Sequence, residues 1–136
     1  MADYKTAIKR ILKTEGGYVN DPADNGGETY KGISRKNWPV WVGWKIIQNH
    51  RICVGFPKTL DSDANLLNEV ISFYKENFWD KVGGDFIASQ TVANNLVDSA
   101  VNEGVKTAVR RAQGAVGLAQ TGIIDDILVK RLNSMV

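Results

Sequence analysis

Tyr4, Ile8, Ile11 and Leu12 recur at helical spacing while Lys5, Lys9, Arg10 and Lys13 fall mostly on other faces, which predicts an amphipathic first helix with Asp3 as its cap. Glu15 follows Ile11 by four residues and Leu12 by three, so it projects from the apolar side. Gly16-Gly17 then ends the helix, since glycine readily takes the left-handed conformation of a C-terminal cap. From residue 18 to 34 the helical period gives way to glycine, proline and Asx residues, a turn chemistry with a short hairpin expected around Thr29 to Ile33. Between Trp38 and Phe56 lie Trp41, Trp44, Pro39 and Gly43 and an apolar run through Ile52, a pattern that fits helix and strand equally.

The period returns after Asp61-Ser62-Asp63, which supply N-cap candidates. Leu66, Leu67, Val70, Ile71, Tyr74 and Phe78 predict a helix running toward Gly83-Gly84. Ser89 caps the next, with Val92, Ala93, Leu96, Val97, Ala100 and Val101 as its buried face and Gly104 as its stop. Two further helices are expected, Lys106 to Val116 and Asp125 to about Ser134. No internal repeat interrupts this order. The reading is a mainly α domain with a small irregular hairpin after the first helix.

A chain of 136 residues, 43% hydrophobic and 24% charged, is large enough for one domain with its own core and has no block that reads as a disordered tail. Residues 1–136 are therefore expected to fold as one domain. A net charge of +2 suits an anionic polymer, wall or nucleic acid, without choosing between them. The first residues lead straight into a charged helix, so neither a signal peptide nor stable membrane insertion is expected, and synthesis in the cytoplasm follows. Cys53, the single cysteine, has apolar neighbours Ile52 and Val54 and reads as a buried thiol.

Glycosidic bonds are commonly cut by two carboxyl groups, one protonating the leaving oxygen and the other activating water or attacking the sugar. The donor must keep its proton near neutral pH, which burial against apolar groups favours. Glu15, at the end of a helix's inner face beside Tyr18, is placed for that effect, whereas Asp24 in a polar turn is placed to stay ionised. Taken singly, each has an ordinary explanation. Glu15 also reads as a surface glutamate, and Asn20, Asp21, Asp24 and Asn25 as turn formers bonding their own backbone.

Glu15-Gly16-Gly17-Tyr18, Asn20-Asp21-Pro22, Gly26-Gly27-Glu28-Thr29 and Gly32-Ile33 together resemble the signature of the glycoside hydrolase family 108 N-acetylmuramidases. Residues 74–80 are similar to that family's middle helix and residues 98–104 to the one after it. The resemblance implies a lysozyme-like fold and Glu15 as the catalytic acid that cleaves between N-acetylmuramic acid and N-acetylglucosamine. Residues 108–133, with Gln113 and Gly122-Ile123-Ile124-Asp125, resemble the family's peptidoglycan-binding segment, which divides the domain into a catalytic part (1–104) and C-terminal helices (105–136). Residues 38–58 match nothing in the family.

A second resemblance is to phage-type lysozymes, where a glutamate, an aspartate and a threonine follow at short spacing. Glu15, Asp24 and Thr29 have eight and four intervening residues, the second interval one shorter than that pattern. Asp21 and Glu28 stay as rivals for the second carboxylate, and Tyr18, Tyr30 and Asn102 are expected substrate contacts. The implied protein is a cofactor-free, monomeric endolysin that acts on peptidoglycan glycan strands after a holin or a secretion partner releases it.

Other chemistries fit less well. From Asp21, the third position of a calcium loop is Ala23 and the twelfth is Gly32, and a single histidine, His50, beside a single cysteine argues against zinc. No phosphate-binding Gly-Lys-Ser/Thr loop occurs. Trp38, Trp41, Trp44 and Phe56 read as core before sugar platform or partner contact. Arg110-Arg111 read as a solvated helix face before a nucleic-acid contact, so no nucleic acid is expected. The competing class is a non-catalytic lysozyme-like module that binds wall glycan or a protein.

Overall fold

Asp3 begins the first helix, its carboxylate accepting from the Thr6 backbone N–H at 3.2 Å and the Thr6 hydroxyl at 2.9 Å. The computed structural model describes residues 1–20 and 27–135. In chain order they form α1 (Tyr4–Glu15), β1 (Tyr18–Asn20), β2 (Glu28–Tyr30), β3 (Ile33–Ser34), α2 (Gly43–His50), α3 (Ala64–Tyr74), α4 (Gln90–Glu103), α5 (Val105–Ala115) and α6 (Asp126–Asn133). This is the mainly α, lysozyme-like fold that the pattern and the resemblance led one to expect. The chain divides into two compact units, one of residues 1–11 and 73–136 and the other of residues 12–72.

In the first unit, α4 packs on α5. Ala93, Leu96, Val97 and Ala100 of α4 are buried, as are Ala108 and Val109 of α5 and Leu128 and Leu132 of α6. Ser89 accepts from the Val92 N–H at 3.3 Å, so the expected cap forms, and Asp125, expected as the start of the last helix, accepts from the Leu128 N–H at 2.9 Å and caps it. Gly104 at φ 95° is both the stop of α4 and the start of α5. The helix expected to run through Phe78 keeps α geometry only to Tyr74. It then widens into a π turn over Lys75–Trp79, closed by the Asp80 N–H to Lys75 carbonyl bond at 2.8 Å. That turn buries Trp79, whose indole donates to Asp85 at 2.8 Å. A Cβ at Gly84 would collide with the same indole, which accounts for glycine there.

The first unit also contains the segment after α5. Gln113 is buried, and its amide donates to the Thr121 hydroxyl at 2.9 Å and the Ile123 carbonyl at 3.1 Å while accepting from the Gly122 N–H at 3.0 Å. One side chain thus satisfies the turn that leads into α6. Arg111 pairs with Glu103 at 2.8 Å on the surface, in keeping with a solvated helix face.

The second unit carries a three-stranded antiparallel sheet in the order β1-β2-β3. Lys31 and Gly32 both have positive φ, 47° and 82°, the requirement of a two-residue type I′ hairpin, and Tyr30 pairs with Ile33 across it. The expected hairpin is therefore present, one residue wider at each end. β1 was not expected. Tyr18, Val19 and Asn20 read as turn, yet they pair with Tyr30, Thr29 and Glu28, because three residues are too few to display a period of two. The tryptophan-rich segment resolves into helix α2, with Trp44 and Ile47 buried. Cys53 is a correction: it is exposed, as are Ile52 (91%) and Val54 (99%). Consecutive turns, Arg51 N–H to Gln48 carbonyl and Cys53 N–H to His50 carbonyl, leave that apolar run no helical or strand face to bury.

Candidate active site

Glu15 is the last residue of α1 and is half-buried. Burial pushes its carboxyl above its ordinary value. The negative end of the helix dipole acts in the same direction. Gly16 at φ 76° turns the chain from the helix toward β1, and the Gly17 carbonyl accepts from the Lys31 N–H at 3.1 Å, tying the helix end to the hairpin tip. The carboxyl therefore sits on a junction fixed on both sides.

A second acid of this unit, Glu28, behaves oppositely. Glu28, 7% exposed on β2, accepts from the Tyr18 phenol at 2.5 Å, from Arg35 at 2.8 Å and from Arg51. Burial alone would raise its carboxyl, but the bonds from Tyr18, Arg35 and Arg51 outweigh that and hold it below its ordinary value. Both oxygens are engaged and the group stays ionised. A carboxylate so occupied is a poor proton donor and a poor water activator, which weakens Glu28 as a rival for the second catalytic role.

Tyr18 is held by that bond and by an edge-on contact with Phe56, ring centres 5.2 Å apart. Burial, and then the hydrogen bond to Glu28, push its phenol up. Thr29 lies at the middle of β2, opposite Val19 and Ser34. Tyr30 is 2% exposed, its phenol pushed up to about 12 by burial and by Asp61 and Asp63. A ring so enclosed offers almost no surface to a glycan. Asp24 and Asp21 lie outside the described residues. Asn102 is exposed on α4 in the first unit, whereas Glu15, Tyr18, Thr29 and Tyr30 belong to the second.

Arg35 and Arg51 were not singled out from sequence. Arg35 is separated from Glu28 by seven positions and a hairpin, and Arg51 by 23 positions, so no short spacing announces them. Trp44 supports the group from below: Arg35 stacks 5.6 Å from its ring centre and its indole donates to the Trp38 carbonyl at 2.8 Å. Nearby, His50 is bonded to Thr59 at 2.9 Å and to Asp63 at 2.7 Å, and Asp63 in turn accepts from the Leu66 N–H at 3.0 Å and so caps α3. Among the described residues no cluster of three or more histidine, cysteine or acidic side chains could hold a metal ion. Among the same residues no helix is long and apolar enough to cross a membrane.

A half-buried carboxyl held up in pKa at the end of the first helix, followed by a small antiparallel sheet, is the arrangement of a lysozyme-like glycoside hydrolase. The family description Glycosyl hydrolase 108 matches residues 8–104, and the chain belongs to that family. Its membership makes the protein a glycoside hydrolase and supports muramidase-type activity on peptidoglycan. The non-catalytic module accordingly gives way to an enzyme. Among solved structures the chain is similar to one titled "Structure of Brucella abortus SagA", with 26% identity and a TM-score of 0.64 over 98% of this chain and 70% of that one. No curated protein sequence matches it.

Proposed function

We propose that the protein is an N-acetylmuramidase that cleaves between N-acetylmuramic acid and N-acetylglucosamine, with Glu15 as general acid. The observation that carries this reading is the contrast between the two described carboxyls around the sheet. Glu15 is pushed up by burial, while Glu28 is held down by three donors. Environments that drive neighbouring acids apart are how one site acquires a donor.

In this reading Glu15 protonates the glycosidic oxygen as the bond to the anomeric carbon breaks, and an ionised aspartate activates the incoming water. Asp24 is the proposed base, with Asp21 as its rival and Thr29 beside it in the reaction. A separation of about 6.5–9.5 Å between acid and base would accompany inversion at the anomeric carbon, and one near 5 Å a covalent route. Tyr18 and Asn102 are proposed sugar contacts, and the ring of Tyr30 is left out because it is enclosed. Residues 105–136 are proposed to hold the glycan, and the protein to act as a monomeric endolysin on the wall after a holin or secretion partner releases it. Digestion of purified peptidoglycan followed by borohydride reduction tests the bond assignment. Reduced muramic acid at the new ends is expected, and reduced glucosamine would refute it.

A further inference from the structure

Arg35 and Arg51 share a single buried carboxylate. Glu28 gives Oε1 to Arg35 and Oε2 to both Tyr18 and Arg51, so its two oxygens are occupied. Each guanidinium carries five N–H donors, of which the carboxylate uses few, and each side chain stays 41% exposed. One negative charge faces two positive ones, leaving a net positive charge on the group. Among the described residues no other acid pairs with either arginine. Arg35 is also fixed by the Trp44 ring beneath it. The two cations are thus already ordered, and an anion that meets them need not restrain two long side chains.

We propose that Arg35 and Arg51 form a carboxylate-binding subsite that takes a carboxylate of the peptide stem carried by the wall glycan. The proposal rests on the muramidase reading, because that substrate supplies the anion. N-acetylated sugars are neutral, so the stem carboxylates are the fixed negative charges of peptidoglycan itself, and a planar carboxylate matches the forked donors of arginine. Glu28 is a positioning residue in this account. It holds the two forks in place and orients Tyr18, without touching substrate.

The test uses the full chain, at fixed ionic strength, on peptidoglycan freed of phosphate polymers, either native or with its carboxyls converted to amides by carbodiimide and ammonia. Wild type is expected to show a KM about tenfold higher on the amidated wall with kcat little changed, the size of one charge-assisted bond lost from binding. Arg35→Gln and Arg51→Gln are expected to raise KM on native wall similarly and to lose their sensitivity to amidation. Arg35→Lys and Arg51→Lys, which preserve the charge that Glu28 requires, are expected to retain part of it. Lys9→Gln, an exposed charge of the other unit, is expected to respond like wild type. Equal KM for wild type on both walls would overturn the proposal, as would arginine variants that keep full sensitivity to amidation. A third arm keeps the phosphate polymers on the wall, and a wild-type KM that rises on their removal but not on amidation would overturn the proposal too. Failure of wild type to cut either wall would instead refute the muramidase reading.

Discussion

In the first unit α4 packs on α5 with Ala93, Leu96, Val97 and Ala100 buried, and polar groups serve the helix ends, Ser89 and Asp125 as caps. In the second unit the sheet is short, and a buried carboxylate draws Tyr18, Arg35 and Arg51 together from three separate stretches of chain. The first arrangement is local and periodic. The second is long-range and electrostatic, and it lies in the unit that also carries Glu15. Stability from apolar burial tolerates shifts in pH and salt, whereas an ion cluster does not. The two units should therefore respond differently to the same perturbations.

The largest expected effect is in the apolar unit. Trp79→Ala removes a fully buried indole and its bond to Asp85, and should cost about 4 kcal/mol in urea unfolding. A loss below about 1 kcal/mol would mean that the π turn is not part of the core. Glu28→Ala, in the other unit, leaves two guanidinium groups facing each other and should cost about 3 kcal/mol.

Within the second unit, two carboxyls respond oppositely to pH. Glu28 has a folded pKa below its unfolded one, so its stabilisation is complete above the unfolded value and is lost as pH falls through the folded value. Glu28→Gln should flatten that acid limb in thermal melts, and an unchanged limb would place the acid sensitivity elsewhere. Glu15 has the opposite sign. With a raised folded pKa, its contribution is present below the unfolded value and is lost as pH rises through the folded one. Glu15→Gln should therefore melt slightly higher than wild type at neutral pH, and a lower melting temperature would contradict an acid strained by burial.

Asp125→Ala removes a cap and should cost about 1 kcal/mol, readable as a lower urea midpoint. The smallest effect is expected from the exposed Arg10–Asp98 pair, where Arg10→Ala should cost about 0.5 kcal/mol or less.

The same contrast explains what could be read from the sequence. Helices α1, α4, α5 and α6 announce themselves through 3.6-residue periodicity, and the caps of α1, α4 and α6 lie within three residues of the groups they bind. The hairpin at Lys31-Gly32 is legible because its turn chemistry is local. Helix α2 was ambiguous because tryptophans and a proline obscure its period, and β1 was missed because pairing, not pattern, defines it. Glu15 stood out through helical phase and family resemblance. Arg35 and Arg51 did not, since what makes them significant is a shared carboxylate that only folding brings to them. Cys53 misled for the converse reason: apolar neighbours imply burial only when a regular element gives them a face to bury.

The proposed chemistry turns on Glu15 supplying the proton. Its most direct test compares wild type and Glu15→Gln in the release of reducing ends from purified peptidoglycan, with circular dichroism and glycan binding measured on the same preparations. The variant is expected to keep its fold and its binding while the rate falls to background. A folded variant that cuts peptidoglycan at the wild-type rate would contradict it.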